Sequence, residues 1–368
     1  MEINRPKILA FFTPFLNGGG AEKVLINLIT EFQNKGIKTD LCLVNMTGEL
    51  TPLIPKNTNV VNFNKSRTIL SIYQLIKYLK SEVPHTLLTI GDEANLIALL
   101  SKILFKFRTK IIITSHHNNS YLYYKNLTIK KIIMLLLIKL LYKYADNIIA
   151  VSKGVSKDLK QILNNSVNIK MIYNPIKIKE INDLSNESIN HPWLLDNKFP
   201  LIISIGRLTK DKDFPNLINA FSILRKNIFA KLIIIGDGKE KSNLINLIRN
   251  LNIQNDVEII KYTLNPYNYL KYASVFVCSS SNEGFSLVIV EALALGISVV
   301  STNCQYGPPE ILNYGEYGTL VPLNDPNKLS QAIYKTITNP MDKSKLIKRS
   351  NDFSSDIIAM KYLDVIYG

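Results

Sequence analysis

Short apolar runs alternate with longer stretches of helical spacing along almost the whole of this chain, and that alternation is the strongest constraint on its fold. KILAFF, TDLCLV, TLLTI, KIIIT and NIIAV make a first series, with helical patterns to about Lys35, from about Thr68 to Lys80 and from about Glu93. LIISIG, KLIIIG, VEIIK, SVFVCS, ISVVS and TLVPL make a second, with helices from about Phe214, from about Lys239 and over 284–295. Strands joined through helices run parallel, so the pattern predicts doubly wound α/β sheets. A length of 368 residues is too great for one ordinary core and predicts two domains of about 180 residues each. We place the first at 1–175 and the second at 201–350. The polar, irregular stretch 176–200, with Pro175 before it and Pro192 within it, is the expected linker, and 351–368 carries a short amphipathic helix.

A hydrophobic content of 46% supplies both cores, so disorder is not expected. The formal net charge of +15 and a pI near 9.4 point to an anionic partner: nucleic acid, a membrane surface or a phosphorylated substrate. The abundance of lysine, asparagine and isoleucine makes part of that excess compositional. Cys42, Cys278 and Cys304 are isolated, lack CxxC or zinc spacing and suit a reducing cytosol; no metal site is implied. The start, MEINRPKILAFFTPF, lacks the order of a secretory leader, so the expected location is the cytoplasm. One segment, 125–147, has an apolar centre at 132–138 that is shorter than the roughly 20 residues a bilayer crossing takes. It is either a buried helix or one lying on anionic headgroups with Lys130, Lys131, Lys139 and Lys143 around it. Burial, with lysine stems snorkelling at the rim, is the favoured reading; the other would place the protein peripherally on the inner face of the plasma membrane.

Residues 279–302, SSSNEGFSLVIVEALALGISVVST, read as a loop, a buried helix and a strand. Serines and an asparagine suit the helix start, 284–295 is apolar almost throughout, and Gly296 supplies the stop. The helix carries one charge, Glu291, and Glu283 stands at its entrance. With about 1.5 Å of rise per residue, a helix starting near Phe285 sets Glu291 roughly 9 Å beyond the first turn, about the reach of a diphosphate. The N–H groups of Phe285, Ser286 and Leu287 at the expected helix start, with the positive end of the helix dipole, would receive anionic oxygens. A sugar nucleotide laid along this element would have phosphates at the helix start, ribose near Glu291 and sugar near Glu283. The plainer reading makes Glu283 a dipole-favoured carboxylate and Glu291 the one solvated residue of a core helix. The pair with its flanking glycines favours the ligand.

The run E-G-F-S-L-V-I-V-E-A-L-A-L-G from Glu283 resembles the E-x7-E signature of retaining family-4 glycosyltransferases. These are enzymes of GT-B architecture, two Rossmann-like domains with a cleft between them. Gly206-Arg207-Leu208-Thr209-Lys210-Asp211-Lys212 is similar to the family's G-R-L-x-x-x-K, which implies that Arg207 and Lys212 neutralise a departing diphosphate in place of a metal. Asp211-Lys212-Asp213 also fits the DxD pattern of metal-dependent enzymes, but Asp213 precedes Phe214-Pro215 and reads better as an N-cap. After the first strand, Asn17-Gly18-Gly19-Gly20-Ala21-Glu22 opens a helix and permits close backbone approach, though a plain glycine turn fits as well. Its similarity to the family's glycine-rich loop assigns Gly18 and Gly19 to the donor. His116 and His117 follow KIIIT at the carboxyl edge of the first sheet, where ligands of such sheets bind. S-H-H-N-N resembles the family's S-x-H-N, which favours His117 as the sugar contact and makes the other a surface loop residue.

Gly236 and Tyr262 lie in the two loops, 236–238 and 261–263, that hold the base in the family; Thr263 stands where glycine is common, which leaves the nucleotide open. Gly307-Pro308-Pro309-Glu310-Ile311-Leu312 and Asn265-Pro266-Tyr267 resemble motifs of bacterial surface-glycan members, with Glu310 either a ligand or a helix-start charge. The resemblance implies an enzyme that moves a hexose or N-acetylhexosamine from a nucleotide diphosphate, UDP being the expected one, with retention and without metal or other cofactor. Glu283 and the histidine would hold the sugar ring, Phe285, Ser286, Leu287 and Glu291 the rest of the donor, and domain closure would exclude water. The acceptor implied is a lipid-linked oligosaccharide, lipopolysaccharide or capsular chain. The resemblance also implies that the terminal helix crosses back to the first domain. Rival readings are a sugar-nucleotide epimerase of the same architecture and a nucleic-acid binder; the latter lacks basic-aromatic motifs, so no nucleic-acid partner is expected.

Overall fold

The computed structural model describes residues 8–124, 128–165, 167–195 and 198–368. The expected leaderless start at 1–7, the opening of the basic segment at 125–127, and 196–197 of the expected linker lie outside the described residues. The chain divides into two compact units, Met1–Pro175 with Ser355–Gly368, and Ile176–Ser354.

The first unit holds β1 (Leu9–Thr13), β2 (Thr39–Leu43), β3 (Asn59–Asn62), β4 (Thr86–Ile90), β5 (Lys110–Ser115), β6 (Asn147–Ala150) and β7 (Ile169–Met171). They form one parallel sheet in the order β3-β2-β1-β4-β5-β6-β7. β1, β2 and β4 are buried throughout, as strands covered on both faces must be, and their sequences are apolar accordingly. β3 and β7 are edge strands with a partner on one side only; their sequences, NVVN and IKM, carry too little apolar signal to announce a strand. The helix Ser355–Tyr367 belongs to this unit, burying Ile358, Tyr362 and Ile366. It packs on the helix Gly20–Asn34, where Ser355 donates to Glu31 Oε1 at 2.7 Å, and Lys110 Nζ donates to the carbonyl of Ile366 at 3.2 Å.

The second unit holds β8 (Leu201–Ile205), β9 (Lys231–Ile235), β10 (Val257–Ile260), β11 (Val275–Cys278), β12 (Val299–Thr302) and β13 (Thr319–Val321), parallel in the order β10-β9-β8-β11-β12-β13. Its core joins Ile202, Ile234, Val275 and Val277 of the strands to Leu217 and Phe221 of the helix Phe214–Arg225 and to Leu329 and Ile333 of the helix Pro326–Thr338. Each such side chain contributes about 1.5–3 kcal/mol on burial. In both sheets the strand order reverses once, between β1 and β4 and between β8 and β11. At such a point the loops leaving neighbouring carboxyl ends turn to opposite faces and open a crevice.

Three expectations change. The stretch 176–200 is not an irregular linker: it contains the helices Ile178–Ser185 and Pro192–Leu195 and belongs to the second unit. Residues 351–354 also close that unit, since Ile176 N–H donates to the carbonyl of the buried Phe353 at 2.9 Å and Ile176 bridges Ser354. The basic segment is not a buried helix: the helix Ile129–Leu141 buries Leu135, Ile138 and Leu141 and leaves its opposite side exposed. Among the described residues, no helix is long and apolar enough to cross a membrane.

Candidate functional site

The reversal between β8 and β11 brings Lys212 and Glu283 of the second unit together. β8 ends at Ile205, and the loop after it carries Gly206, the exposed Arg207 and then Lys212 on a single 3-10 turn, Lys210–Lys212. β11 ends at Cys278, and the loop after it carries Ser279, Ser280 and Glu283. Ser281 N–H and Oγ donate to the carbonyl of Asp211 at 2.8 and 3.1 Å, and Ser279 Oγ donates to the carbonyl of Lys212 at 2.8 Å, stitching the two loops together. With the loops so fixed, Lys212 Nζ lies 2.6 Å from Glu283 Oε1, which also accepts from Ser280 Oγ at 2.8 Å. The Glu283 side chain is buried, and that of Lys212 is 20% exposed over its whole length. Burial pulls the Lys212 ammonium down, but the Glu283 charge and hydrogen bond more than offset it and hold its pKa above an ordinary lysine's. Burial and the same carboxylate push the neighbouring Cys278 thiol up, so it stays protonated at neutral pH.

The helix that follows runs Leu287–Ala294, two residues later than its apolar sequence predicts. Ser286 is extended at φ −100°, ψ 95°, and its side chain makes no cap bond, so the helix start keeps its N–H groups for another acceptor. Gly307, at φ +79°, presses its backbone against 283–285: a Cβ there would stand 3.2 Å from Glu283 Cβ and 3.3 Å from Phe285 Cα. This close approach accompanies the extended path. The buried residues Phe285 and Ser286 therefore precede the helix, and Glu291 sits about 6 Å past Leu287, one turn in rather than two. Glu291 is buried, not solvated, and its Oε1 accepts from Tyr267 OH at 3.1 Å. The helix stops as its sequence indicates. Ile297 N–H bonds the Ala292 carbonyl at 2.9 Å and Gly296 N–H the Leu293 carbonyl at 2.9 Å, around Gly296 at φ +70°.

Gly236 leaves β9 beside this site, where a Cβ would fall 1.9 Å from the Gly206 carbonyl oxygen, so only glycine lets the two loops touch. Tyr262 lies after β10 and is 37% exposed. Asp213 occupies the N-cap position of the helix Phe214–Arg225, but at φ +46° its carboxylate makes no cap bond; instead its carbonyl accepts from Asn216 N–H at 3.1 Å. Burial raises that carboxyl above its usual range. Among the described residues, no three His, Cys, Asp or Glu side chains converge as metal ligands.

In the first unit, Gly18 at φ +76° and Gly19 at the N-cap open the helix Gly20–Asn34, with Glu22 folded back over Gly19. Of the two histidines, His117 is exposed and His116 buried. His116 Nε2 lies 3.0 Å from Thr114 Oγ1, its Nδ1 has no hydrogen-bond partner, and burial with the neighbouring His117 lowers its pKa to about 3. It is neutral at neutral pH. The surface residue of the pair is thus His117, the one favoured as a ligand. Ser280 and Tyr267, which hold the two glutamates, were not among the residues singled out from sequence. Ser280 had read as one of several capping serines, and Tyr267 as part of a subfamily motif.

The comparisons with known proteins agree with this architecture. The model described as "Glycosyltransferase Family 4" matches residues 18–180, and that described as "Glycosyl transferases group 1" matches 185–353. The N-acetylgalactosamine-N,N'-diacetylbacillosaminyl-diphospho-undecaprenol 4-alpha-N-acetylgalactosaminyltransferase of Campylobacter jejuni is 30% identical over 98% of this chain and 99% of its own. An uncharacterized glycosyltransferase of Methanocaldococcus jannaschii is 35% identical over 67% of this chain and 66% of its own. Among solved structures, Anabaena Alr3699/HepE in complex with UDP and glucose shares the fold at a TM-score of 0.78, with 18% identity over 98% of this chain and 99% of that one. The chain belongs to the family-4-like glycosyltransferases of GT-B architecture.

Proposed function

We propose that this glycosyltransferase moves an N-acetylhexosamine or hexose from a UDP-sugar to a lipid-linked or surface-polysaccharide glycan, with retention and without a metal ion, at the cytoplasmic side of the membrane that carries such an acceptor. The observation that carries the reading is the Lys212–Glu283 pair at the β8/β11 reversal, next to an uncapped helix start. Support for the acceptor and sugar comes from the Campylobacter relative, whose name gives an undecaprenol-diphosphate acceptor and N-acetylgalactosamine transfer. Support for UDP comes from the HepE complex.

In this reading the departing diphosphate meets Arg207, Lys212 and the N–H groups at the start of the helix Leu287–Ala294. An ammonium has three donors, so Lys212 keeps Glu283 and offers the others to phosphate oxygens as charge grows there. Glu283, held by Lys212 and Ser280, faces the sugar ring as it becomes cationic. Glu291, steadied by Tyr267, takes the ribose hydroxyls, and Phe285, Ser286, Leu287, Gly236 and Tyr262 bound the nucleotide. His117 contacts the sugar, and Gly18 and Gly19 admit a ligand oxygen once Glu22 swings aside. The leaving phosphate takes the acceptor proton on the face it vacates, which preserves the anomeric configuration.

The test is transfer of radiolabelled sugar from UDP-GalNAc, UDP-GlcNAc and UDP-glucose to undecaprenol-diphosphate oligosaccharides, with and without EDTA. At least one donor is expected to be used, EDTA to make no difference, and Glu283→Ala and Arg207→Ala each to lower kcat by about 10²–10³-fold. Unchanged rates in both folded variants would overturn the site assignment; EDTA-sensitive transfer would overturn its metal independence.

A further inference from the structure

Resting on the reading above, in which Glu291 takes the ribose hydroxyls, we propose that Asn265 is a positioning residue for the donor: it grips the segment 184–187 and so holds Tyr267, and through Tyr267 the carboxylate of Glu291. A carboxylate on a flexible side chain serves as a fixed acceptor only if something stops its rotation. Glu291 stands on the apolar helix Leu287–Ala294 and is 2% exposed, and Tyr267 OH reaches its Oε1 at 3.1 Å. An ionised carboxylate accepts about four hydrogen bonds, so one from a tyrosine sets its plane and leaves capacity for a pair of hydroxyls. The phenol must then be fixed in its turn.

Tyr267 opens the short helix Tyr267–Leu270, and the carboxamide oxygen of Asn265 accepts its N–H at 3.1 Å. An asparagine closes a turn on its own backbone in this way, and Pro266 stiffens the chain between the two. The other end of the same carboxamide does what a turn does not require. Its Nδ2 donates to the carbonyl of Leu184 at 2.9 Å and to Glu187 Oε2 at 2.7 Å, 81 and 78 residues earlier in the chain. Because the oxygen faces a donor and the nitrogen two acceptors, the amide has one orientation. Asn265 N–H also donates to Thr263 Oγ1 at 3.2 Å, so the threonine that stands where the family commonly has glycine ties the loop 261–263 to the same residue. The helix Ile178–Ser185 packs on both Tyr267–Leu270 and Leu287–Ala294, behind the two ends of the Tyr267–Glu291 bond. The stretch that reads from sequence as a linker thus braces the nucleoside half of the donor.

The test needs neither sugar nor acceptor. Binding of UDP and of 2′,3′-dideoxy-UDP to the full chain is measured by calorimetry, and Tm is recorded for every variant. The unaltered chain should prefer UDP by about tenfold or more, since the hydrogen bonds lost with the hydroxyls are to a charged group. Tyr267→Phe deletes the bond to Glu291 and keeps the ring. This variant and Asn265→Ala should each cut the preference at least about threefold by weakening UDP, with the dideoxy nucleotide held to within about twofold. Asn265→Asp sets a carboxylate against Glu187 and should act likewise; adding Glu187→Gln returns a donor to the pair and should restore most of the preference. A merely structural role would lower Tm and leave the preference intact, so an intact preference in Tyr267→Phe or Asn265→Ala would overturn the proposal. So would failure of Glu187→Gln to rescue Asn265→Asp. If instead the unaltered chain binds both nucleotides equally, or binds no UDP, the ribose reading of Glu291 falls and this inference with it.

Discussion

Replacing Lys212 by Met removes the ammonium while keeping most of the side-chain volume, and it leaves the buried Glu283 carboxylate with the Ser280 hydroxyl at 2.8 Å in place of a cation at 2.6 Å. Breaking a buried pair from one side costs about 3–5 kcal/mol, and the 20% exposure of Lys212 puts this site at the low end, near about 3 kcal/mol. Glu283→Gln retains an acceptor for both donors and should cost about 2 kcal/mol. The double variant has no stranded charge, so it should cost about 3 kcal/mol rather than the sum of about 5, a coupling of about 2 kcal/mol. The chain's one tryptophan, Trp193, lies in the same unit, so its fluorescence in urea reports the unit that holds the pair. The raised folded-state pKa of Lys212 means its contribution is fully present below the ordinary lysine range and fades only as pH rises through that higher value, so the cycle should be the same at pH 6 and pH 8. Costs that add within about 0.5 kcal/mol would refute the reasoning, because they would show two charges that do not depend on each other.

The other two predictions concern His116 and Gly236. With a folded pKa of about 3 against 6.5 for the free side chain, the neutral imidazole of His116 favours folding above pH 6.5 and loses that advantage as pH falls. About 3 kcal/mol should go by pH 4, and His116→Gln should flatten that part of a urea-stability profile; an unchanged slope would show that the ring is not buried neutral. Gly236→Ala places a methyl 1.9 Å from a main-chain oxygen that cannot rotate away and should cost more than about 3 kcal/mol in urea. Gly36→Ala, at φ +75° with nothing within 4 Å, should cost about 1 kcal/mol, so equal costs would contradict the steric argument.

The parts of the fold legible from sequence are those in which burial dictates composition. All six strands of the second sheet appear as apolar runs, and Gly296 marks its helix end because the position needs a positive φ. The edge strand β3 escapes because its NVVN sequence is polar at both ends and nowhere fully buried, and the helix Ile178–Ser185 escapes because its polar residues outweigh the buried Ile181. The start of the helix Leu287–Ala294 was misjudged for a different reason: Phe285 is apolar and buried, yet its conformation depends on a glycine turn more than twenty residues later. In the site, a charge at the helix entrance marked Glu283 and the resemblance to a family motif marked Lys212, but Ser280 and Tyr267 act through hydrogen bonds that only folded geometry reveals. The exposed stripe of Ile129–Leu141 was hidden most completely, since composition says how much apolar surface a helix has and nothing about which side is covered.

The placement of Ser355–Tyr367 in the first unit bears on how this chain comes off the ribosome. Synthesis completes 176–354 before the last helix exists, so the later-made unit has its whole sequence available first. The earlier-made unit must wait with the bed for Tyr362 and Ile366 uncovered, and it is this half, begun first and finished last, that needs protection from premature association while translation continues.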